Sequence, residues 1–262
     1  MNALAQAIST EFLKARRSMV PWLMATGFSL APLVAGLFMV ILKDPDRARQ
    51  LGLIGAKAQL TAGVADWPTF WSLLGQSVAV GGGVLFAFLT AWIFGREFAQ
   101  RTVRTLLAIP TPRRAIVVAK FAVTATWCIV VSAWVLALGL SVGLIVGLPG
   151  WSAELTIQAV GTIALAAVLI TLLQTTTAFV AGVGRGYIAP LAWAMLTIFL
   201  AQVLAVLGWG AWFPWAVPAL VVGATGPEGE VATTTSLFVV AAVAVLGFAA
   251  TIRWWERADQ TD

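Results

Sequence analysis

The chain has 262 residues and a formal net charge of +5; 60% of its residues are hydrophobic and only 10% are charged. A soluble domain carries about 25% charged residues, so this composition excludes a soluble globular protein and predicts an all-α protein that crosses a membrane several times. The sequence has no histidine and one cysteine, Cys128, which excludes histidine-based catalysis, histidine metal sites and an internal disulfide.

The amino-terminal segment, residues 1–19, has the pattern of a short amphipathic helix at the membrane interface. Leu4, Ile8 and Phe12 recur at four-residue steps, and the polar and basic residues fall mostly on other faces. A frayed polar terminus is the alternative. The apolar run that follows, residues 20–42, is too long for the hydrophobic part of a secretory signal and long enough for one membrane crossing.

Five further apolar runs predict five further spans, so residues 20–262 form one six-span domain. The predicted spans are residues 20–42, 73–94, 116–146, 155–181, 188–207 and 236–255. A polar loop follows the first span, with a short helix expected over residues 47–60. The segment Trp209–Val222 is apolar and aromatic, but Pro214 and Pro218 interrupt it, which favours an outer re-entrant or interfacial segment over a crossing.

Lysine and arginine are unevenly distributed between the two sides of this topology. One side carries both termini and the loops after the second and fourth spans, and it holds twelve of the sixteen cations. These cations are Lys14, Arg16, Arg17, Arg96, Arg101, Arg104, Arg113, Arg114, Lys120, Arg185, Arg253 and Arg257. The positive-inside rule then predicts that both termini are cytoplasmic.

The sequence lacks a site that would let the chain convert energy by itself. No G-x-x-x-x-G-K-[ST] motif occurs, so a P-loop is excluded and no cofactor is expected in this chain. The predicted span cores hold none of the ionisable groups that ion-driven carriers keep near mid-bilayer. Gln76 and Gln202 are polar residues within spans and candidates for a translocation path, with interhelical hydrogen bonding as the alternative.

The charged segment between the second and third spans, residues 96–120, is the strongest candidate for a functional surface. It holds six Lys/Arg and one acid, Glu97, and six cations in hydrocarbon would cost about 15–20 kcal/mol, so we expect it in water at the membrane surface. If residues 96–109 are helical, Glu97 and Arg101 form a surface pair at i and i+4. The residues that would then share one face, flanked by Arg101 and Arg104, are Phe98, Thr102, Val103, Leu106 and Leu107. Such a helix contacts anionic lipid or docks into a groove of a soluble partner.

The segment from Phe94 to Lys120, FGREFAQRTVRTLLAIPTPRRAIVVAK, resembles the cytoplasmic segment of ABC transporter permeases of the type-two (ABC-2) exporter class. It is most similar to the compact permeases of bacitracin- and lantibiotic-resistance systems. The pattern of that family is aromatic-x-Arg-Glu-aromatic, then Thr, Leu-Leu, Pro, a Ser/Thr-x-Arg turn and Lys. The matching positions here are Arg96, Glu97, Phe98, Thr102, Leu106, Leu107, Pro110, Arg113 and Lys120.

This resemblance implies a permease subunit of an ATP-driven exporter, located in a prokaryotic cell membrane. Such permeases pair with an identical or homologous permease and bind two separate ATPase subunits, which carry the ATP and Mg, and they export amphipathic peptides, drugs or lipids. It implies a coupling helix at Glu97–Leu107, a second contact in the turn after span four, and an outer gate at Trp209–Val222. The implied ATPase-coupling residues are Arg96, Glu97, Phe98, Arg101, Thr102, Arg104, Leu106, Leu107, Arg185 and Tyr187.

The residues alone leave a second interpretation open. A membrane anchor, sensor or assembly factor that does not transport could also recruit a cytoplasmic partner or lipid through a basic loop. A membrane enzyme fits less well, because histidine and paired acids are missing. Membrane lipid is an expected partner in either case, and nucleic acid is not.

Overall fold

The structure is a computed structural model that describes residues 3–44, 64–108, 110–226 and 229–257. Its helices are α1 (Ala3–Arg16), α2 (Val20–Lys43), α3 (Trp67–Ala99), α4 (Val103–Leu107), α5 (Arg113–Val146), α6 (Ala153–Val183), α7 (Ile188–Val206), a 3-10 turn (Gly210–Trp212), α8 (Val217–Val221) and α9 (Thr234–Arg257). Six of them, α2, α3, α5, α6, α7 and α9, are long and apolar enough to cross a membrane. The predicted all-α, six-span fold is confirmed. The short helix expected over residues 47–60 lies outside the described residues.

Two of the spanning helices begin three or more residues earlier than the sequence predicts. α3 has 33 residues and begins at Trp67, because the Asp66 side chain accepts a hydrogen bond from the Thr69 backbone N–H at 2.9 Å and caps the helix. α5 begins at Arg113, three residues before its predicted start. At 1.5 Å per residue, α3 is about 50 Å long, against about 30 Å of hydrocarbon. Charged residues near the ends of these helices therefore need not contact lipid.

The centre of the bundle is α3, which packs against α2, α5, α6 and α7. Small residues permit this close packing. A Cβ added at Gly82 of α3 would lie 3.3 Å from Phe28 of α2 and 3.4 Å from Ile170 of α6. Gly143 of α5 faces the ring of Trp67, which leaves no room for a Cβ. These glycines set the spacing between α3 and its neighbours.

The amino-terminal helix α1 packs mainly against α5, and to a lesser extent against α2. Its buried residues are Glu11 and Ala15, while Leu4 and Phe12 are exposed. The ring of Phe12 stacks on Trp127 of α5, with the ring centroids 6.3 Å apart. The helix predicted within residues 1–19 is thus present, but a glutamate, not an apolar side chain, is the larger of its two buried residues.

The segment Trp209–Val222 contains only the 3-10 turn and the five-residue α8, so neither element is long enough to cross a membrane. Its second half is anchored, because Val217 and Leu220 are buried and α8 packs against α6. Trp209 and Trp212 are exposed. The Glu230 side chain holds the 3-10 turn by accepting the Ala211 backbone N–H at 2.9 Å. The gate suggested for this segment stays a prediction.

Candidate functional site

The charged segment is not one continuous helix. α3 ends at Ala99, and the Thr102 N–H then donates to the Glu97 carbonyl at 2.9 Å while the Arg101 N–H donates to the Phe98 carbonyl at 3.1 Å. These two bonds form a Schellman motif, with Arg101 in the left-handed conformation at φ 58°. The chain resumes as α4 after this turn, so the single helix considered for this segment is interrupted at residues 100–102.

The break turns the predicted apolar face inward. Phe98 packs between the rings of Trp254 and Trp255 of α9, with centroid distances of 5.9 and 5.5 Å. Leu106 and Leu107 are partly buried against the core. The exposed polar side chains from Arg101 to Thr105, named the basic face from here on, are Arg101, Thr102, Arg104 and Thr105; Ala99, Gln100 and Ala108 beside them are also exposed. The surface available to a partner is therefore polar and basic.

Glu97 does not pair with Arg101 as the sequence predicts. It is 3% exposed, and its Oε2 accepts a hydrogen bond from Lys120 Nζ at 2.9 Å. Glu11 Oε2 of α1 accepts from the same ammonium at 3.2 Å, and the Ile93 carbonyl accepts at 2.8 Å. All three donors of Lys120 are satisfied, which explains how a fully buried lysine is tolerated.

Two further cations complete this group. Lys14 forms ion pairs with Glu11 and, at 3.5 Å, with Glu97. Arg96 donates to Glu97 at 3.2 Å and lies 4.9 Å from the ring centre of Trp92. We call Glu11, Lys14, Arg96, Glu97 and Lys120 the ionic cluster. It joins α1, α3 and α5 immediately before the turn that leads to the basic face.

The cluster corrects two expectations from the sequence. Lys120 was expected in water within the charged segment, yet it is 0% exposed and lies inside α5, so an ionisable group does occur within a spanning helix. Glu11 and Lys14 were not among the candidate site residues. The signal that could have found them is an acid and a base three residues apart on a helix otherwise expected to lie against lipid. Their partners are 83 to 109 residues away along the chain, which no local pattern reveals.

The turn after α6 lies beside the cluster. Arg185 is exposed and left-handed, at φ 48°, and its N–H donates to the Gly182 carbonyl at 3.3 Å. A Cβ added at Gly95 of α3 would lie 2.7 Å from the Gly186 carbonyl oxygen. Burial raises the pKa of the Tyr187 phenol, an effect that Arg96 opposes and Glu97 increases. The structure thus places this turn against α3 beside Arg96 and Glu97, where the predicted coupling segment begins.

Arginine occupies the left-handed position only at this end of the bundle among the described helix ends. At the opposite end, α5 and α7 terminate in the same conformation with glycines, Gly147 at φ 66° and Gly208 at φ 76°. A side chain in this conformation costs about 1 kcal/mol or more, which glycine avoids. Arg101 and Arg185 therefore carry backbone strain at positions where glycine would have a lower conformational energy. Such strain is a reason to suspect a function.

The two glutamines suggested for a translocation path lie apart from this site. The Gln76 side chain donates to Ser72 within its own helix at 3.2 Å. Gln202 is exposed on α7. Neither makes an interhelical hydrogen bond within the described part of the chain, so the alternative role in helix packing finds no support there. Their place on a path stays a prediction.

The sequence of this helical bundle matches a known protein family. The family described as ABC-2 family transporter protein matches residues 7–203, a stretch that contains α2 to α6 fully and most of α1 and α7. The chain belongs to the ABC-2 family of transporter proteins. This ABC-2 chain is similar to the bacitracin transport permease protein BCRB of Bacillus licheniformis, with 29% identity over 181 residues that cover 68% of the chain and 85% of the relative. No solved structure matches it.

Family membership confirms the resemblance seen in residues 94–120. It makes the chain a transporter permease subunit and a multi-pass protein of the cell membrane. It also implies association with ABC ATPase partners, in agreement with a chain in which no P-loop sequence occurs. The basic face and the turn at Arg185 are the parts of this ABC-2 chain that combine charge, exposure and backbone strain, and the buried ionic cluster lies beside them.

Proposed function

We propose that this chain is the membrane-spanning subunit of an ATP-driven exporter. It pairs with a second permease, identical or homologous, and with two ATPase subunits that bind ATP and Mg. The observation that carries this proposal is the ionic cluster, which ties three helices of the bundle together next to an exposed basic face. The termini and the basic face lie on the cytoplasmic side, as the positive-inside count supports.

The basic face is the ATPase contact. Its arginines are exposed, whereas Phe98 is enclosed by tryptophans and Leu106 and Leu107 lie against the core. The apolar residues of this segment therefore hold α4 on the bundle, and the charged residues meet the partner. Arg185 and Tyr187 provide the second contact; the turn that carries them packs beside α3, where Gly186 and Tyr187 lie against Gly95. An acidic or carbonyl-lined groove is the partner chemistry that arginine suits best.

The ionic cluster transmits the movement of this contact to the spans. Separating Glu97 from Lys120 would break an ion pair between two buried side chains, which opposes movement of α3 relative to α5. α1, α3 and α5 therefore move as one unit when the ATPase pulls on the turn at Arg101. The outer segment Trp209–Val222 responds as the gate, because its α8 packs against α6, which in turn packs against α3.

The cargo is an amphipathic compound. The relative named for bacitracin transport makes a peptide antibiotic of that kind the first cargo to examine. Cells that produce this chain with its ATPase should survive higher bacitracin concentrations than cells that produce either subunit alone. Equal survival in all three strains would exclude bacitracin as the cargo and would leave the proposed ATPase contact unaffected.

The contact itself is tested by reversing its charge. In the Arg101→Glu/Arg104→Glu variant, we expect recovery of the ABC ATPase with the purified chain to fall at least about tenfold, equivalent to roughly 1.4 kcal/mol. Arg257→Glu changes an equally exposed cation at the end of α9 and should leave recovery unchanged. An ATPase recovered equally with both variants, or not recovered with the wild-type chain, would reject the contact and favour a non-transporting anchor or sensor.

A further inference from the structure

A groove opens on the membrane-facing surface between α1, α2 and α5. Its volume is about 580 Å³, within the roughly 300–1,000 Å³ of small-molecule sites. Three tryptophans line it: Trp22 of α2, and Trp127 and Trp134 of α5. Trp22 and Trp134 are more than half exposed, whereas Trp127 is buried. None of the ATPase-coupling residues lines it.

The hydroxyl groups in the wall form hydrogen bonds within the protein, whereas the buried indole N–H of Trp127 has no hydrogen-bond partner among the described residues. The hydroxyl groups of Thr26 and Thr126 donate to carbonyls of their own helices at 3.0 and 2.8 Å. Ser29 donates to the Ala25 carbonyl and accepts the Trp134 indole N–H, both at 2.8 Å. Apart from this indole N–H, the body of the groove therefore offers mainly apolar surface, which suits a hydrocarbon chain.

The mouth of the groove is cationic. Arg16 lines it at the end of α1, and Arg17 follows in the chain without lining it. Among the described residues, neither arginine pairs with a carboxylate, in contrast to Lys14 in the ionic cluster. An anionic head group is the complement that an arginine at the membrane surface attracts.

The length of the groove matches one leaflet. From Val20, beside the mouth, to Ser29, near its inner end, α2 rises about 14 Å. That is about half of the roughly 30 Å hydrocarbon thickness. An occupant with a charged head at Arg16 and a chain beside Trp134 would thus reach from the interface to the bilayer centre.

We propose that this groove binds one anionic phospholipid, with its phosphate at Arg16 and an acyl chain between α2 and α5. The floor of the groove is Trp127, which stacks on Phe12 of α1 and makes an edge contact with Trp22 of α2 at 5.7 Å. The lipid therefore braces α1, which carries Glu11 and Lys14 of the ionic cluster. This site does not depend on the proposed ATPase contact.

Lipid retention by the purified full-length chain tests the proposal. The chain is extracted from vesicles that contain equal amounts of phosphatidylglycerol and phosphatidylcholine, and retained lipids are counted by native mass spectrometry. We expect wild type to retain one phosphatidylglycerol in preference to phosphatidylcholine, and Arg16→Gln to reduce this preference about fivefold. Arg17→Gln is the matched control and should keep the preference.

A second variant separates the groove from general surface charge. Val130→Trp fills the groove from an exposed position on α5 and should abolish retention although both arginines remain. Equal losses for Arg16→Gln and Arg17→Gln would overturn the proposal, as would equal retention of both lipids by wild type. A mass showing a second copy of the chain in place of lipid, or displacement of the lipid by an exported peptide, would also overturn it.

Discussion

Replacement of Lys120 by methionine tests the energetic role of the ionic cluster. Methionine has a similar length and no charge, so the change removes the ammonium group with little change in volume. The variant loses three hydrogen bonds, to Glu97, Glu11 and the Ile93 carbonyl. It leaves two buried carboxylates beside Lys14 and Arg96 only.

The expected loss follows from the geometry. Two unit charges 2.9 Å apart attract by about 6 kcal/mol at an effective dielectric constant of 20, and desolvation of the buried ammonium offsets part of this. Breaking a buried ion pair by removing one partner costs about 3–5 kcal/mol. We therefore expect Lys120→Met to lower the free energy of unfolding by about 3–5 kcal/mol.

Equilibrium unfolding of the purified full chain in mixed micelles, followed by circular dichroism, measures this loss. Arg114→Met is the matched control, because Arg114 is an exposed cation on the same helix and should cost less than about 0.5 kcal/mol. The Glu97→Gln/Lys120→Met double variant should lose about 1–3 kcal/mol less than the sum of the single variants. A Lys120→Met loss equal to that of the control, or strict additivity in the cycle, would refute a cohesive cluster.

Two further changes test packing and backbone strain by the same unfolding measurement. Gly143→Ala should cost about 1–3 kcal/mol, because its Cβ would overlap the Trp67 ring, whereas Gly161→Ala on α6, which meets open space, should gain up to about 1 kcal/mol. A loss as large at Gly161 would contradict the packing argument. Arg101→Gly should raise stability by up to about 1 kcal/mol by relieving the left-handed strain, while Arg104→Gly within α4 should lower it by about 1 kcal/mol. The reverse order would show that Arg101 is not strained.

The number of spans could be predicted because each crossing needs an unbroken apolar run, and such runs are visible locally. The helix starts could not be predicted as well, because they depend on single capping contacts. Asp66 lies in a polar stretch that reads as loop, yet its side chain extends α3 back to Trp67. The prediction placed the start at residue 73 because the apolar run begins there. The helical backbone hydrogen bonds begin six residues earlier.

The charges and family pattern of residues 94–120 indicate this segment as the candidate site, and the same resemblance indicates the turn at Arg185; the role of both as the ATPase contact stays a prediction. The arrangement of their side chains could not be predicted from the sequence. No glycine or proline marks the break at Arg101 in the sequence. The face through Phe98, Leu106 and Leu107 was therefore expected at the surface, whereas these side chains pack against the bundle. The partners of Lys120 lie on two other helices, and only tertiary packing reveals that a lysine in an apolar run is neutralised.

The central claim, that the basic face receives the ATPase, is tested most directly by site-specific crosslinking. Thr105 is exposed on that face, and the native thiol of Cys128 is buried, so Thr105→Cys provides one accessible reactive position in the full chain. Membranes containing the Thr105→Cys chain and its ABC ATPase are treated with a bifunctional maleimide, with Arg257→Cys as the control. We predict a permease–ATPase crosslink from position 105 whose yield changes when ATP and Mg are added. A crosslink that forms only from position 257, or no ATPase crosslink from position 105, would contradict the account.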